Sequence, residues 1–202
     1  QRHFNYVDPS RIPASFAHGA ESLNYLDPDK GAFYYHWCLY SAGHANLDLT
    51  KFDPKEDMFR NRDRNTSWVL GDSGGFQIAK GLWEGDWHAN SGCPKAQGKR
   101  ESVLKWLDAI SDYAMTLDIP TWVIHDPVAN GKIGNFKSPQ ELVEATKFNN
   151  EYFMKHRKGV KNGGTKILNV LQGASHTDAD EWYDTMKHYC DTTQYPDTHF
   201  NG

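Results

Sequence analysis

The sequence predicts an α/β protein with a parallel sheet, of the kind found in the TIM-type (β/α)8 barrel. Apolar runs with the character of buried strands alternate along the chain with stretches of helical periodicity. Each predicted strand is followed closely by a carboxylate or an amide, and parallel folds collect such side chains at the carboxyl ends of their strands. A barrel needs about 250 residues. The 202 residues of this chain are therefore expected to form one domain, an incomplete barrel with about five of the eight units.

An open doubly wound sheet is the alternative fold. It satisfies the same alternation of strands and helices, and it also places its ligand at the carboxyl edge of the sheet. The sequence contains no Gly-x-Gly-x-x-Gly or Walker-type phosphate loop, which weakens the nucleotide-binding version of this alternative.

The best-defined strand is a short apolar run, Trp68 to Leu70, that ends at a glycine-rich turn. Asp72 and Ser73 follow the run, and Gly74 and Gly75 come directly after them. Glycines tolerate positive φ and let the backbone approach a ligand closely. We therefore expect this turn to hold Asp72 and Ser73 at the edge of a pocket. The alternative is an ordinary turn in which the aspartate caps the next element.

The first 60 residues and the segment 81–100 are harder to interpret. The aromatic run 32–40 suits either a buried strand or a helix, since periodicity does not distinguish them. The segment 81–100 has the composition of a loop, and loops of this length are commonly lids or binding loops. Trp83 and Trp87 in this segment have two interpretations of equal weight. They bind a ligand, or they pack against the core and anchor the loop.

The second half of the chain gives clearer signals for five elements. A stripe of apolar residues at three- and four-residue spacing predicts a helix over 103–117. A β-branched run predicts a strand at 121–124. Ser138 and Glu141 form a capping box around Pro139, which predicts a helix from there to about His156. A strand at 166–171 and a helix at 177–190 complete the pattern.

Three polar side chains are expected at the carboxyl ends of the predicted strands. They are Asp72, Asp126 and Gln172, separated by 54 and 46 residues. Because parallel strands end at one edge of a sheet, two carboxylates and an amide should converge on one cleft there.

Composition excludes several classes of protein. The formal net charge is −4, so contacts to nucleic acid must come from local patches. The mean hydropathy of −0.75 and the lack of a long apolar run predict no membrane span and a cytoplasmic protein. The three cysteines, Cys38, Cys93 and Cys190, are widely spaced and predict neither a disulfide framework nor a metal site.

The segment 71–75, Gly-Asp-Ser-Gly-Gly, resembles the nucleophile segment of chymotrypsin-like serine proteases. In those proteases a proline follows the glycines, and many short strands precede the segment. Here Phe76 follows, and only 70 residues precede Gly71. A serine hydrolase that uses Ser73 therefore stays a weaker alternative, with His44, His88 or His125 as the candidate base.

The longer string 72–77, Asp-Ser-Gly-Gly-Phe-Gln, closely resembles the guanine-site motif of the tRNA-guanine transglycosylase family. This family includes the enzymes of queuosine synthesis and phage members that insert 7-deazaguanines into DNA. The resemblance implies a (β/α)8 barrel and a pentosyltransferase. Such an enzyme replaces guanine in tRNA or DNA with a 7-deazaguanine through a covalent glycosyl-aspartate intermediate.

The resemblance also implies roles for individual residues. Asp72 would bind the base and transfer a proton at the reacting ring nitrogen, which makes it the predicted catalytic residue. Asp126 would accept hydrogen bonds from the guanine N1–H and exocyclic amine, and Gln172 with Gly173 would donate to O6. The residues predicted to bind the substrate are Ser73, Gly74, Gly75, Phe76, Gln77, Asp126, Gln172 and Gly173.

The chain departs from the family in two respects. Pro127 and Val128 stand where the family has Glu-Cys, and Ala174 replaces a common glycine. In the family, the nucleophilic aspartate and the zinc ligands follow the Gln-Gly motif. They lie farther beyond it than the last residue of this sequence. We therefore expect an N-terminal fragment that holds the base-recognition half, with no cofactor of its own. Zinc and a homodimer are expected for the full-length protein, in the host cytoplasm if the protein is viral. A non-catalytic module that binds guanine or a 7-deazaguanine is the second alternative.

Overall fold

Five parallel strands, side by side in the order in which they occur in the sequence, form the centre of the protein. The structure is a computed structural model and describes residues 24–30, 33–191, 193–195 and 198–201, the last four by their backbone alone. The strands are β1 (Trp37–Ser41), β2 (Trp68–Asp72), β3 (Tyr113–Met115), β4 (Lys166–Val170) and β5 (Thr198–Asn201).

Helices occupy the connections between these strands. They are α1 (Pro54–Arg60), α2 (Gly75–Ala79), α3 (Pro94–Ile110), α4 (Pro127–Ile133), α5 (Pro139–His156) and α6 (His176–Met186). Short 3-10 helices span Thr121–His125, Val160–Asn162 and Lys187–Cys190. The α/β fold class predicted from the sequence is confirmed. The strand order shows none of the reversal that defines a doubly wound sheet.

Elements with strong local signals form where they are predicted. The apolar run after Ser67 is strand β2, and the run from Lys166 is β4. Helix α5 begins at the predicted capping box, where the Ser138 side chain accepts from the backbone N–H of Glu141. The helix predicted at 177–190 is α6 with its 3-10 extension. Strand β1 begins within the ambiguous run at 32–40 and ends one residue after it, at Ser41.

The helix predicted over 103–117 is wrong beyond Ile110. Helix α3 begins earlier, at Pro94, so the predicted loop 81–100 is shorter than expected. Its last helical residue is Ile110. Ser111 caps the helix, and its φ of −105° and ψ of 150° are extended. The backbone N–H of Asp112 then donates to the carbonyl oxygen of Val69, which joins this segment to β2. Tyr113 and Ala114 continue the helical spacing of the apolar stripe, but they lie in the sheet as strand β3.

The strand predicted at 121–124 is also wrong, because these residues form a 3-10 helix. Pro120 precedes the helix, and the backbone N–H of Ile119 just before it donates to the Thr146 hydroxyl of α5. The β-branched run therefore packs beneath α5 instead of pairing with a strand. Strand β5 lies in a segment to which the sequence analysis assigns no element.

The helices cover one face of the sheet. In β1, β2 and β4 every second side chain is fully buried. These residues join the helices in one core, which includes Cys38, Val69, Ala114 and Ile167 from the strands together with Leu107, Ile110 and Phe153 from α3 and α5. Constant handedness of the connections and an unreversed strand order place all the helices on the same side.

The opposite face of the sheet is apolar and only partly buried. Trp37 and Trp68 stack there with ring centroids 5.2 Å apart. Leu39 and Leu70 pair in register beside them, and Met115 pairs with Leu168 farther along the sheet. Parallel sheets normally bury both faces. This second face ends at the carboxyl edge of the sheet, where the predicted site residues lie.

Candidate functional site

Asp72 is the last residue of β2 and points from the carboxyl edge of the sheet. It pairs in register with Ser41 at the end of β1, whose hydroxyl donates to Asp72 Oδ2 at 2.5 Å. The backbone N–H of Gly74 approaches Asp72 Oδ1 at 3.4 Å. These two contacts fix the direction of the carboxylate.

The turn after Asp72 depends on its glycines, as predicted. Gly74 has a φ of +85°, and a Cβ atom there would lie 2.5 Å from the indole of Trp83. The Ser73 side chain is fully buried, and its hydroxyl donates to the carbonyl oxygen of Thr116 at 2.7 Å. Ser73 therefore ties the turn to the segment after β3. Among the described residues the Ser73 hydroxyl makes no hydrogen bond to a histidine, which a hydrolase nucleophile would need.

A cavity of about 270 Å³ opens beside Asp72. Such a volume suits a small ligand, since pockets for larger molecules start at roughly 300 Å³. Phe76 forms one wall and is 55% exposed. The lining residues are Leu39, Ser41, His44, Asp72, Phe76, Gln77 and Met115.

Gln77 lines the same cavity, and its side-chain amide is unusual because its buried oxygen is unpaired among the described residues. The residue is only 7% exposed and packs tightly against Gly43. Within the part of the chain that the structure describes, its buried Oε1 atom has no hydrogen-bond partner. An unpaired buried acceptor costs free energy, and such atoms are rare outside functional sites.

The second acid at this edge is Asp118, which follows β3. The backbone that carries it is held from two sides. Asn149 of α5 donates to the carbonyl oxygen of Leu117 at 2.8 Å, and the backbone N–H of Thr116 donates to Leu168 of β4. Together with the contact of Ile119 to α5, these bonds leave the Asp118 backbone little freedom.

Asp118 meets Gln172, which follows β4. The Gln172 side-chain amide donates to Asp118 Oδ2 at 2.6 Å. Asp118 is only 7% exposed. Its burial raises the pKa of the carboxyl to about 6, the negative charge of Asp72 adds to the rise, and the Gln172 hydrogen bond opposes it. Two carboxylates and an amide therefore converge at this edge, as the strand-end argument predicts, but the second carboxylate is a different one.

The prediction that Asp126 ends a strand is wrong. Asp126 follows the 3-10 helix and caps α4, where its Oδ1 atom accepts from the backbone N–H of Ala129 at 3.1 Å. Aspartate at such a position stabilises the first turn of a helix. Gly173 lies against α6, and a Cβ atom there would be 2.6 Å from the backbone nitrogen of Ala179.

The sequence analysis missed Asp118 and Ser41 as site residues. Asp118 lies two residues before Pro120, and the segment 118–120 is what the sequence analysis takes as the end of the helix predicted over 103–117. The usable signal was the short apolar run 113–117, which ends at an acid in the same way as the run before Asp72.

Gly75 provides a contact that connects the two acids. A Cβ atom at this position would lie 2.0 Å from the carbonyl oxygen of Asp118. The turn after β2 and the segment after β3 therefore touch backbone to backbone, and only glycine fits between them.

We expect Gly75→Ala to destabilise the protein by about 2 kcal/mol, since the added methyl group must push the Asp118 backbone away. Urea unfolding measures this change. Gly98 in α3 is the matched control, because a Cβ atom there meets nothing within 4 Å. Gly98→Ala should stabilise the helix by about 0.5–1 kcal/mol. Equal effects of the two substitutions would contradict the close approach.

Comparison of the chain with models of protein families, with curated proteins and with solved structures gave no match. Among the residues described, no group of three or more His, Cys, Asp or Glu side chains is placed to hold a metal ion. In the same part of the chain, no helix combines the length and apolar character that crossing a bilayer requires.

Proposed function

We propose that this chain forms the base-recognition part of a guanine transglycosylase, a pentosyltransferase that exchanges guanine in a polynucleotide for a 7-deazaguanine. The motif at 72–77 suggests this function, and the geometry of the carboxyl edge supports it. In the proposal Asp118 takes the role that the sequence analysis gave to Asp126.

The observation that carries the proposal is the contact between Asp118 and Gln172 at the carboxyl edge of the sheet, where Asp72 lines the cavity. A carboxylate oxygen and an amide nitrogen lie 2.6 Å apart, so an acceptor and a donor stand next to each other. The edge of guanine presents the complementary pair, its N–H groups next to O6. Adenine presents a donor and an acceptor in the opposite order, and each good bidentate contact discriminates by roughly 1–3 kcal/mol.

Residues that line the cavity have roles consistent with a bound purine. Phe76 supplies an aromatic wall on which a base can stack. Asp72, oriented by Ser41, is the proposed group for proton transfer at the reacting ring nitrogen. The unpaired Gln77 oxygen offers one further acceptor to an N–H group.

The proposal also includes the fold, which we infer to be part of a (β/α)8 barrel. In a (β/α)8 barrel, strands follow in sequence order, helices cover the outside and apolar side chains fill the interior. The unreversed order of β1 to β5 and the one-sided helices support this architecture. Its interior would be the face that carries Trp37, Leu39, Trp68 and Leu70, and its active site would be the edge that carries Asp72 and Asp118.

Isothermal titration calorimetry with free bases tests the proposal. A 7-deazaguanine or guanine should bind, and adenine should bind at least 10-fold more weakly because its donor and acceptor are reversed. Hypoxanthine, which lacks the exocyclic amine, should lie between them. Equal affinity for guanine and adenine would remove the assigned role of Asp118 and Gln172.

The raised pKa of Asp118 predicts how binding depends on pH. Only the carboxylate form accepts two N–H groups, so below a pH of about 6 the side chain must lose a proton when the base binds. Affinity should rise by up to tenfold per pH unit below about 6 and become constant above it. Calorimetry between pH 5 and 8 measures this profile. An affinity that falls as the pH rises would show that protonated Asp118 is the binding form.

A further inference from the structure

An exposed aromatic ring, a partly buried one and an exposed cation form a group next to the cavity. The Phe76 ring lines the cavity and also contacts Trp122, with centroids 5.9 Å apart. The ammonium group of Lys80 lies 5.5 Å from the Phe76 centroid and 5.0 Å from the Trp122 centroid. We call Phe76, Lys80 and Trp122 the rim platform.

Two apolar side chains that lie near α2 and α4 in the sequence are strongly exposed. Leu82 is 67% exposed and Val128 is 73% exposed. Leu82 follows α2 and Val128 is in the first turn of α4, and these two helices contact each other. Lys132 in this region is already paired with Glu84 at 3.6 Å. Within residues 24–30 and 33–195 as far as they are described, Lys80 has no carboxylate within 4.0 Å. Among these residues, the groups found close to its charge are the two ring faces.

We propose that the rim platform binds the nucleotide next to the one whose base enters the cavity, in an unpaired stretch of a polynucleotide. This inference rests on the proposed function and deepens it, because it assigns a site for the polymer in addition to the site for the base.

The chemistry of the platform fits a single strand. Proteins that bind single strands combine aromatic side chains, on which bases stack, with cations that contact the backbone. In the free protein the Lys80 ammonium covers the ring faces. A nucleotide brings a base to replace it on Trp122 and a phosphate with which the ammonium can pair. A free base brings only one ring, which the cavity already accommodates.

A duplex would not bring these two groups together. Its bases are stacked on each other and closed to an aromatic side chain, so a base reaches a pocket only after it has been extruded. Continuity from the cavity through Phe76 to Trp122 gives the extruded base and its neighbour adjacent positions.

The test uses fluorescence anisotropy with labelled oligonucleotides of about 12 nucleotides, within the range of known single-strand site sizes. One is DNA and one is RNA of the same sequence, so that the two sugars are compared. Trp122→Ala should weaken binding of the preferred strand by about 5- to 100-fold, whereas Trp122→Phe should retain most of it. Lys80→Ala should lower the slope of log K against log salt by about 0.7, the value for one phosphate contact on a single strand.

Helix α6 carries a matched control. Lys187 lies 5.7 Å from the Tyr183 ring centroid, but it is paired with Asp184 at 2.7 Å. Tyr183→Ala and Lys187→Ala should leave oligonucleotide affinity and its salt slope unchanged. Binding of the free 7-deazaguanine by the Trp122→Ala variant should equal that of the wild type, which also shows that the variant is folded.

The outcomes separate this inference from the proposed function. Loss of strand binding with unchanged base binding supports the platform. Equal strand affinity in the Trp122→Ala and Tyr183→Ala variants overturns it and leaves the base site intact. A wild-type protein that binds the free base but neither oligonucleotide also overturns it. Failure to bind the free base refutes the proposed function itself.

Discussion

Replacement of Asp118 by asparagine is expected to stabilise the folded protein and to abolish base recognition. The asparagine side chain keeps an oxygen that can accept the hydrogen bond from Gln172. It loses the charge that would bind the two N–H groups of guanine. Two charge-assisted hydrogen bonds are lost, each worth about 1.5–3 kcal/mol. Affinity for a 7-deazaguanine at pH 7 should therefore fall by roughly 100-fold or more.

The gain in stability follows from the sign of the pKa shift. Folding raises the pKa of Asp118 from 3.8 to about 6, so between these values the folded state binds more protons than the unfolded state. Stability of the wild type therefore falls as the pH rises from about 4 to 6 and is then constant. A shift of about 2 units corresponds to about 3 kcal/mol. The Asp118→Asn variant lacks this penalty and should be more stable by up to that amount at pH 7.

Urea unfolding at several pH values measures the difference. The two proteins should have similar stability at pH 4 or below, and the variant should gain on the wild type between pH 4 and 6. Asp126→Asn is the matched control, since asparagine and aspartate are equally good at a helix N-terminus. It should change neither stability nor base binding by a large amount.

The same pair of variants decides between the two aspartates. If Asp126→Asn loses base binding and Asp118→Asn keeps it, then the base is read from the end of the 3-10 helix and not from the end of β3. If Asp118→Asn is less stable than the wild type at pH 7, then the buried charge is better compensated than its hydrogen bond from Gln172 and the nearby charge of Asp72 suggest.

The parts of the fold that could be predicted from the sequence are those determined by local signals. Strand β2 is an apolar run with a glycine turn, and α5 starts at a capping box with a proline in its first turn. The rule that parallel strands deliver polar groups to one edge was also correct. It placed Asp72 and Gln172 at the carboxyl edge of the sheet without any knowledge of tertiary contacts.

Strand β3 shows where local signals fail. It has three residues, too few to show an alternating pattern, and its side chains continue the spacing of the helix before it. The run 121–124 looks more like a strand, but its position is set by α5 and by Pro120. Asp118 therefore follows a strand, whereas Asp126, for which the sequence predicts that place, follows a 3-10 helix.

Contacts between distant segments were the second kind of feature that the sequence could not show. Residues 61–65, Asn-Arg-Asp-Arg-Asn, have the composition of an exposed turn. Within this turn, however, the Arg62 side chain is 1% exposed and forms an ion pair with Asp112 at 2.6 Å. The partners are 50 residues apart, so no local pattern could indicate the pair.

We expect Arg62→Met to destabilise the protein by about 3 kcal/mol. The guanidinium also donates to the carbonyl oxygens of Ser67 and Ile110, and methionine leaves all these acceptors without that partner. Breaking one side of a buried pair costs about 3–5 kcal/mol. The lower value applies here, because Asp112 also accepts from the backbone N–H of Val69 and its side chain is 18% exposed.

A double-mutant cycle with Asp112→Asn separates the ion pair from the other contacts, since asparagine can still accept from Val69. Coupling of 1–3 kcal/mol between the two substitutions is expected for groups in one network. Arg64→Met is the control, because Arg64 donates to the backbone carbonyl oxygens of Ala109 and Gly163, and its cost should be smaller, at about 1–2 kcal/mol. Additive effects at Arg62 and Asp112 would show that solvent already screens the pair.

Base binding by the folded Arg62→Met variant should stay unchanged, because Arg62 acts at the start of β2 and β3 while the proposed site is at their carboxyl ends. Loss of base binding without unfolding would mean that the two edges of the sheet are coupled.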